Sequence, residues 1–169
     1  MTPEITRPSH LWKPLTEDRK RLAADAFWRD ADASLEHAEV IASIAQRLKF
    51  RAKSVMALPL DKKVRYLSSM PVSELVAARL LIAYHLTHQR PMMGSFLSAL
   101  GIAHEDGVIA EDETPTPTKE QLLAAAATIG ETYPAEDVAL YLSTLLWQDA
   151  ETWGGLSEAS QRQVQPASA

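Results

Sequence analysis

"LVAARLLIAYHL", Leu75 to Leu86, decides the fold: ten of its twelve residues are apolar or alanine, and Arg79 and His85 are the exceptions. A helix apolar on nearly every side has to be surrounded by other helices. Continued to His88, this segment is therefore expected to be the buried centre of an all-α fold. Arg90 precedes Pro91, whose ring disfavours helical backbone at the residue before it, so the central helix should stop there and a new one run to Leu100.

Upstream, no proline or glycine interrupts residues 15–58, and small or apolar side chains recur at Ala24, Phe27, Trp28, Ala31, Leu35, Ala38, Ile41, Ala42, Ala45 and Leu48. Steps of three and four mean helix. Thr16 suits the N-cap, with Glu17 and Asp18 at the positive end of the dipole. The weak point is "DADAS", Asp30 to Ser34, whose side chains compete for backbone hydrogen bonds; residues 17–50 are thus either one helix or two broken there. Asp61 and Ser73 each follow a proline by two residues and read as caps of the next two helices.

Downstream, Gly101 fits the left-handed position after a helix, with Ile102 folding back on Leu97 as a Schellman motif requires. Asp106-Gly107, flanked by Ile102 and by Val108-Ile109, allows one very short hairpin near residues 102–110. The polar connector "EDETPTPT", residues 111–118, ends at Thr118, which with Gln121 makes a capping box; Gly130 is expected to close that helix. Pro134, Glu136 and Asp137 open another, with Val138, Tyr141, Leu142, Leu145 and Leu146 on one stripe. "WGG", Trp153 to Gly155, reads as a turn that pins the last helix to the core. The expected architecture is one compact domain of about six helices over residues 16–156, around the buried 75–88 helix. Residues 1–15 form an extended N-terminal arm and residues 157–169 a surface tail.

Composition bounds the function. A 169-residue chain with 46% hydrophobic content can bury roughly 70% of its unfolded surface without a staple. Having no cysteine, it has no disulfide, thiolate nucleophile or Cys-ligated metal. The first fifteen residues carry three prolines and several charges where a secretory leader needs an unbroken apolar run. No apolar stretch approaches the roughly 20 residues that cross a bilayer. A soluble, cytoplasmic protein without membrane attachment is expected.

Charge is uneven: residues 1–103 hold 15 Lys/Arg against 10 Asp/Glu, and residues 104–169 hold 2 against 12. Either a basic surface awaits an acidic partner, or the two halves of one fold attract each other, which is the blander reading. The densest basic run is Arg47 to Arg65, where Arg47, Lys49, Arg51, Lys53, Lys62, Lys63 and Arg65 face a single Asp61. These seven are the candidate partner-binding residues. Phe50 among them adds a possible stacking surface for single-stranded nucleic acid, and residues 61–69 followed by 73–89 have the outline of a helix-turn-helix. A net charge of −5 and so apolar a second helix argue against a dedicated nucleic-acid module.

No local catalytic motif stands in the sequence. His85 and His88 share a helical face, but zinc wants a third ligand and, on a zincin-like helix, a spacing of four with Glu between. His104, Glu105 and Asp106 lie beyond a helix roughly 13 Å long. The histidines are instead expected to close the last turn of the central helix, next to its carbonyls. "HEDGVIAEDE", residues 104–113, lacks the alternate-residue ligands of a calcium loop. No Glu-x-x-His pair is present, and "SLEHAE", with Glu36 and Glu39, reads as the charged outer face of a helix. There is no phosphate-cradling glycine loop and no nucleophile elbow. Neither cofactor nor metal is implied.

The function expected from these residues is that of a helical protein-interaction or scaffold module, binding another protein or itself. The runner-up is a small-ligand sensor or enzyme with an interhelical pocket near Tyr84, His85, His88 and Arg90. A third reading is weak nucleic-acid binding through residues 47–65. Homo-oligomerisation is expected from the aromatic-rich amphipathic helices and the opposite charge of the two halves.

Overall fold

The computed structural model describes residues 6–110 and 116–157; residues 111–115 of the expected connector and 158–169 of the expected tail lie outside the described residues. The chain is all-α apart from one two-stranded hairpin. It divides into two compact units, Pro8–His88 and a second that runs from Gln89 onward. This boundary falls inside the span expected to be one domain.

The first unit holds six helices: α1 (Pro8–Trp12), α2 (Glu17–Arg29), α3 (Ser34–Leu48), α4 (Ala52–Met56), α5 (Leu60–Ser69) and α6 (Glu74–His88). Residues 8–12 are therefore helical where an extended arm was expected. Trp12 is buried, and Ser9 bonds the Glu74 carboxylate through both its amide (3.1 Å) and its hydroxyl, which fastens α1 to the start of α6. Five residues make little more than one turn, too few for a 3.6-residue period to show in sequence.

Thr16 caps α2 by accepting the Arg19 N–H at 3.3 Å. The helix buries Ala23, Ala24, Ala26 and Phe27; the three small alanine side chains let α6 pack close against it, and α5 packs on it as well. The break at "DADAS" is present, for the reason the side chains suggested. The Asp30 carboxylate takes the Asp32 N–H at 3.0 Å and so diverts the backbone from the helical ladder. His37 then staples the break by bonding the Phe27 carbonyl at 2.5 Å, with its ring against Phe27 and Trp28.

The break resets the helical phase. Leu35, expected on the apolar stripe, is 79% exposed. Glu36, expected on the outer face, is buried and lies 3.5 Å from Arg79 of α6. The stripe that α3 buries is Glu36, Val40 and Ile44, at steps of four. Arg79, one of the two exceptions in the central segment, thus has a structural task.

α6 packs against α1, α2 and α3. It buries Val76, Ala77, Leu80, Leu81, Ala83, Tyr84 and His85, but Leu75 at its start is 56% exposed, so the enclosure is incomplete. Ser73 is the cap, accepting the Val76 N–H at 3.3 Å. Asp61 is not a cap: α5 begins one residue earlier, the Pro59 carbonyl accepts the Lys62 and Lys63 amides, and Asp61 sits inside the first turn.

The second unit comprises α7 (Arg90–Ala99), the hairpin β1 (His104–Glu105) and β2 (Val108–Ile109), α8 (Lys119–Thr132), α9 (Ala135–Gln148), α10 (Ala150–Trp153) and a 3-10 turn at Gly154–Leu156. The break after α6 sits at Gln89, one residue before the position expected from Pro91. α7 ends in a full Schellman motif. Gly101 has φ +73°, the Ile102 N–H reaches the Leu97 carbonyl and the Gly101 N–H reaches that of Ser98, each at 3.0 Å.

The hairpin pairs Glu105 with Val108 and His104 with Ile109. Its two turn residues, Asp106 and Gly107, both have positive φ (49° and 85°), as a type I′ turn demands. The capping box is present, with the Gln121 N–H on Thr118 Oγ1 (3.2 Å) and the Thr118 N–H on Gln121 Oε1 (2.9 Å). Gly130 does not end α8, which continues to Thr132. One exposed glycine costs a helix only about 1 kcal/mol, and Pro134 supplies the effective stop.

The second half has its own centre. α9 buries nine residues, among them Val138, Tyr141, Leu142 and Leu146 of the expected stripe and also Asp137, Ser143 and Thr144. Burial pushes the Tyr141 phenol up from its ordinary range. Phe96 of α7 meets Tyr141 edge to face at 5.5 Å and Trp153 at 6.0 Å. A Cβ on Gly155 would fall 2.9 Å from Leu122 Cδ1 and 3.1 Å from Lys119 Cα, so the turn after Trp153 is pinned to α8 as expected. The ten α-helices among the described residues exceed the six expected, chiefly through the short α1, α4 and α10.

Candidate functional site

The seven basic residues lie at the end of α3, on α4 and on α5. Six of them, Arg47, Lys49, Arg51, Lys53, Lys62 and Arg65, are exposed. Lys63 is half-buried, with its ammonium 5.2 Å from the centre of the Trp28 ring, a cation-π contact that occupies it within the fold. Lys49 ends α3 in the left-handed conformation at φ +56°, and the Phe50 N–H closes back on the Ala45 carbonyl at 2.9 Å. That turn throws the chain outward. Phe50 is left 49% exposed and Met56, at the end of α4, 61% exposed, while Val55 between them is buried.

Arg47, Lys49, Arg51 and Lys53 make no side-chain ion pair or hydrogen bond among the described residues. The α3–α4 corner therefore carries, within ten residues, an exposed aromatic ring, an exposed thioether and four unengaged cations. An apolar centre of aromatic and methionine side chains with a charged rim is how protein-binding patches are built.

A cleft of about 850 Å³ opens between α2 and α5. From α2 it is lined by Asp18, Arg21, Leu22, Asp25 and Arg29, and from α5 by Leu60, Asp61, Val64 and Arg65. Leu22 is 44% exposed there. Arg21 pairs with Glu17 at 2.6 Å and Arg29 with Asp25 at 3.1 Å, both one helical turn apart on an exposed face, where such pairs contribute little. Arg65 has no ion pair among the described residues and also lines a second hollow, of about 250 Å³, beside Lys20, Ser68 and Ser69. Sequence reasoning found Arg65 but missed the α2 side of the cleft. The signal was Leu22, which stands off the buried stripe among charges at positions 18, 21, 25 and 29.

The histidine candidates are placed as parts of the framework. Tyr84 and His85 are buried and His88 is exposed. His85 Nδ1 bonds the Leu81 carbonyl at 2.8 Å, and the Tyr84 ring lies 5.5 Å from that of His85 and 5.9 Å from that of His88. Arg90 reaches the Asp106 carbonyl at 3.3 Å. His104 belongs to the hairpin corner, where its Nδ1 accepts the Gly107 N–H at 3.2 Å. Its Nε2 therefore carries the proton and donates to Ser98 Oγ at 2.7 Å. Among the described residues no three His, Asp or Glu side chains are grouped to hold a metal ion, and no helix is long and apolar enough to cross a membrane.

No protein-family model, curated protein or solved structure matches this chain.

Proposed function

We propose that this chain is a protein-interaction module that receives an acidic, partly apolar segment of a partner on its α3–α4 corner. The observation that carries this reading is the exposure of Phe50 and Met56 on the same short stretch of chain as Arg47, Lys49, Arg51 and Lys53, cations that nothing among the described residues neutralises. Burying the two side chains against a partner supplies the apolar gain, on the order of 25 cal/mol per Å². The cations supply steering and select for carboxylates. The reading rests on surface chemistry alone. Tyr84 and His85, the centre of the alternative small-ligand pocket, are buried in α6.

The test is a fluorescence titration of three probes: a peptide alternating glutamate and leucine, its lysine-for-glutamate counterpart, and a single-stranded oligonucleotide. Binding of the acidic peptide alone, lost in a Phe50→Ala/Met56→Ala variant and weakened by salt, supports the proposal. No binding of the acidic peptide at low salt sinks it. Preference for the oligonucleotide, with a steep salt slope, replaces it with nucleic-acid recognition through the same residues.

A further inference from the structure

We infer that the α2–α5 cleft is the seat of a second copy of this chain, in a two-fold symmetric dimer with each α2 lying antiparallel on its counterpart. This goes beyond the interaction module proposed above and uses a different face. The order of charges along α2 points to this arrangement. Positions 18, 21, 22, 25 and 29 are spaced three and four apart and share one side of α2. Read from the N-terminus, their characters are acidic, basic, apolar, acidic and basic.

Reversal inverts that order. When the helix is turned end for end upon a copy of itself, Asp18 faces Arg29 and Arg21 faces Asp25, so every charge on the face meets its opposite. The two pairings share a midpoint to within half a residue, and Leu22 falls beside it. Asp61 and Arg65 on the α5 side invert in the same way. A two-fold axis across the cleft, in the plane of contact, lays α2 on α2 and α5 on α5 at once, as an isologous interface requires. A face intended for a foreign partner has no reason to be complementary to its own reverse.

The apolar floor supplies the attraction and the charges supply the register. Leu22 is 44% exposed, and Leu60 and Val64 are half-buried along the opposite wall. The present pairs of Arg21 with Glu17 and of Arg29 with Asp25 are exposed and one turn apart, so exchanging them for pairs across the interface costs little. Asp18, Asp61 and Arg65 make no ion pair among the described residues, and in the dimer each faces an opposite charge.

The experiment is sedimentation of the full chain and of two single variants, Arg21→Asp and Asp25→Arg, alone and mixed. The wild type is expected to be dimeric. Each variant places like charges at two symmetric points of its own dimer and should dissociate at least roughly tenfold more readily. In an equimolar mixture every contact is again between opposites, so the mixed dimer should return. A wild type that stays monomeric at high micromolar concentration overturns the inference. So does a dimer that both variants leave intact, or two weakened variants that fail to associate on mixing. Circular dichroism confirms that each variant is folded. Should either not be, Asp18→Arg and Arg29→Asp form an equivalent pair with the same outcomes. Phe50→Ala leaves this dimer unchanged, so its failure and that of the peptide-binding reading are told apart.

Discussion

The two units of the chain each pack around one helix, α6 in the first and α9 in the second, but differ in how the course of the chain around it is set. In the second, backbone devices set the course: a Schellman turn after α7, a type I′ hairpin, a capping box on α8, and glycines where the chain approaches a neighbouring segment. The first depends on side chains from distant segments, namely the alanines of α2 against α6, Glu36 with Arg79, and His37 across the break between α2 and α3. A unit specified locally presents a surface that is largely a by-product of its turns. A unit specified by packing along one stripe leaves the opposite faces of its helices uncommitted, and both candidate surfaces are found there.

The contrast breaks first at Gly107 if it is wrong. A Cβ there would stand 2.7 Å from Met93 Cβ and 2.9 Å from the Arg90 carbonyl oxygen, at φ +85°. Left-handed strain costs about 1–2 kcal/mol and overpacking about 1–3 kcal/mol, so Gly107→Ala should destabilise by roughly 3 kcal/mol in a denaturant melt. Loss of the hairpin's amide protection should accompany it. A change under 1 kcal/mol would mean that the hairpin is an ornament on α7 and not part of what organises the second unit.

The first unit is tested at Glu36. Glu36→Ala leaves Arg79 without its partner in a largely buried site. Breaking a fully buried pair costs about 3–5 kcal/mol; here Arg79 is 30% exposed and the separation is 3.5 Å, so a smaller loss is expected. Roughly 2 kcal/mol is the expectation, read from the same melts. An equal loss in Arg79→Ala, with little more in the double variant, would show that the pair acts as a unit.

These two sites also show what was legible in the sequence. Thr16, Ser73, Gly101, Asp106-Gly107 and the Thr118/Gln121 box are legible because each device is closed within a few residues. The faces of Glu36 and Leu35 are not legible, because the four-residue break between α2 and α3 shifts the phase of everything after it by an amount the sequence does not encode locally. Gly130 reads as a stop in the sequence because glycine is a poor helix former, whereas its neighbours in α8 decide that the helix continues to Thr132. The α2 side of the cleft escaped notice because Asp18, Arg21, Asp25 and Arg29 resemble any solvated face until α5 is seen to lie beside them. The basic cluster was visible as composition. Its unengaged cations and exposed Phe50 were not.

A smaller effect sharpens the comparison at Lys49, which ends α3 at φ +56°. Lys49→Gly removes the left-handed penalty on a side chain at the cost of greater freedom in the unfolded chain, a net gain of up to about 1 kcal/mol. The first unit would then be seen to tolerate a strained turn at a lysine, where the second uses glycine at Gly101 and Gly107 and, at Asp106, a side chain that enters the left-handed region more readily. If the α3–α4 corner binds an acidic segment, the gain in stability should come with weaker binding, since one of four cations is lost. Titration of the acidic peptide at low salt reads this directly.

The smallest expected effect lies at Asp149, the residue between α9 and α10. Its carboxylate takes the Thr152 hydroxyl at 2.6 Å and the Thr152 amide at 3.2 Å, and these bonds hold its pKa below the ordinary carboxylate value. A depressed folded-state pKa means that the unfolded chain binds the proton more readily. The contribution is therefore complete above the unfolded value, about 3.9, and is lost as pH falls through the folded one. Full exposure of the carboxylate confines the consequence to α10 itself. Hydrogen exchange at the Thr152 amide should accelerate relative to its pH-corrected intrinsic rate as the solution is acidified below pH 4. In Asp149→Ala that amide should be unprotected at every pH, while α8 and α9 keep their protection. Protection of Thr152 that ignores both pH and substitution would show that Trp153, buried beside Phe96, secures α10 without its cap, and that packing governs the second unit's end as it governs the first unit's centre.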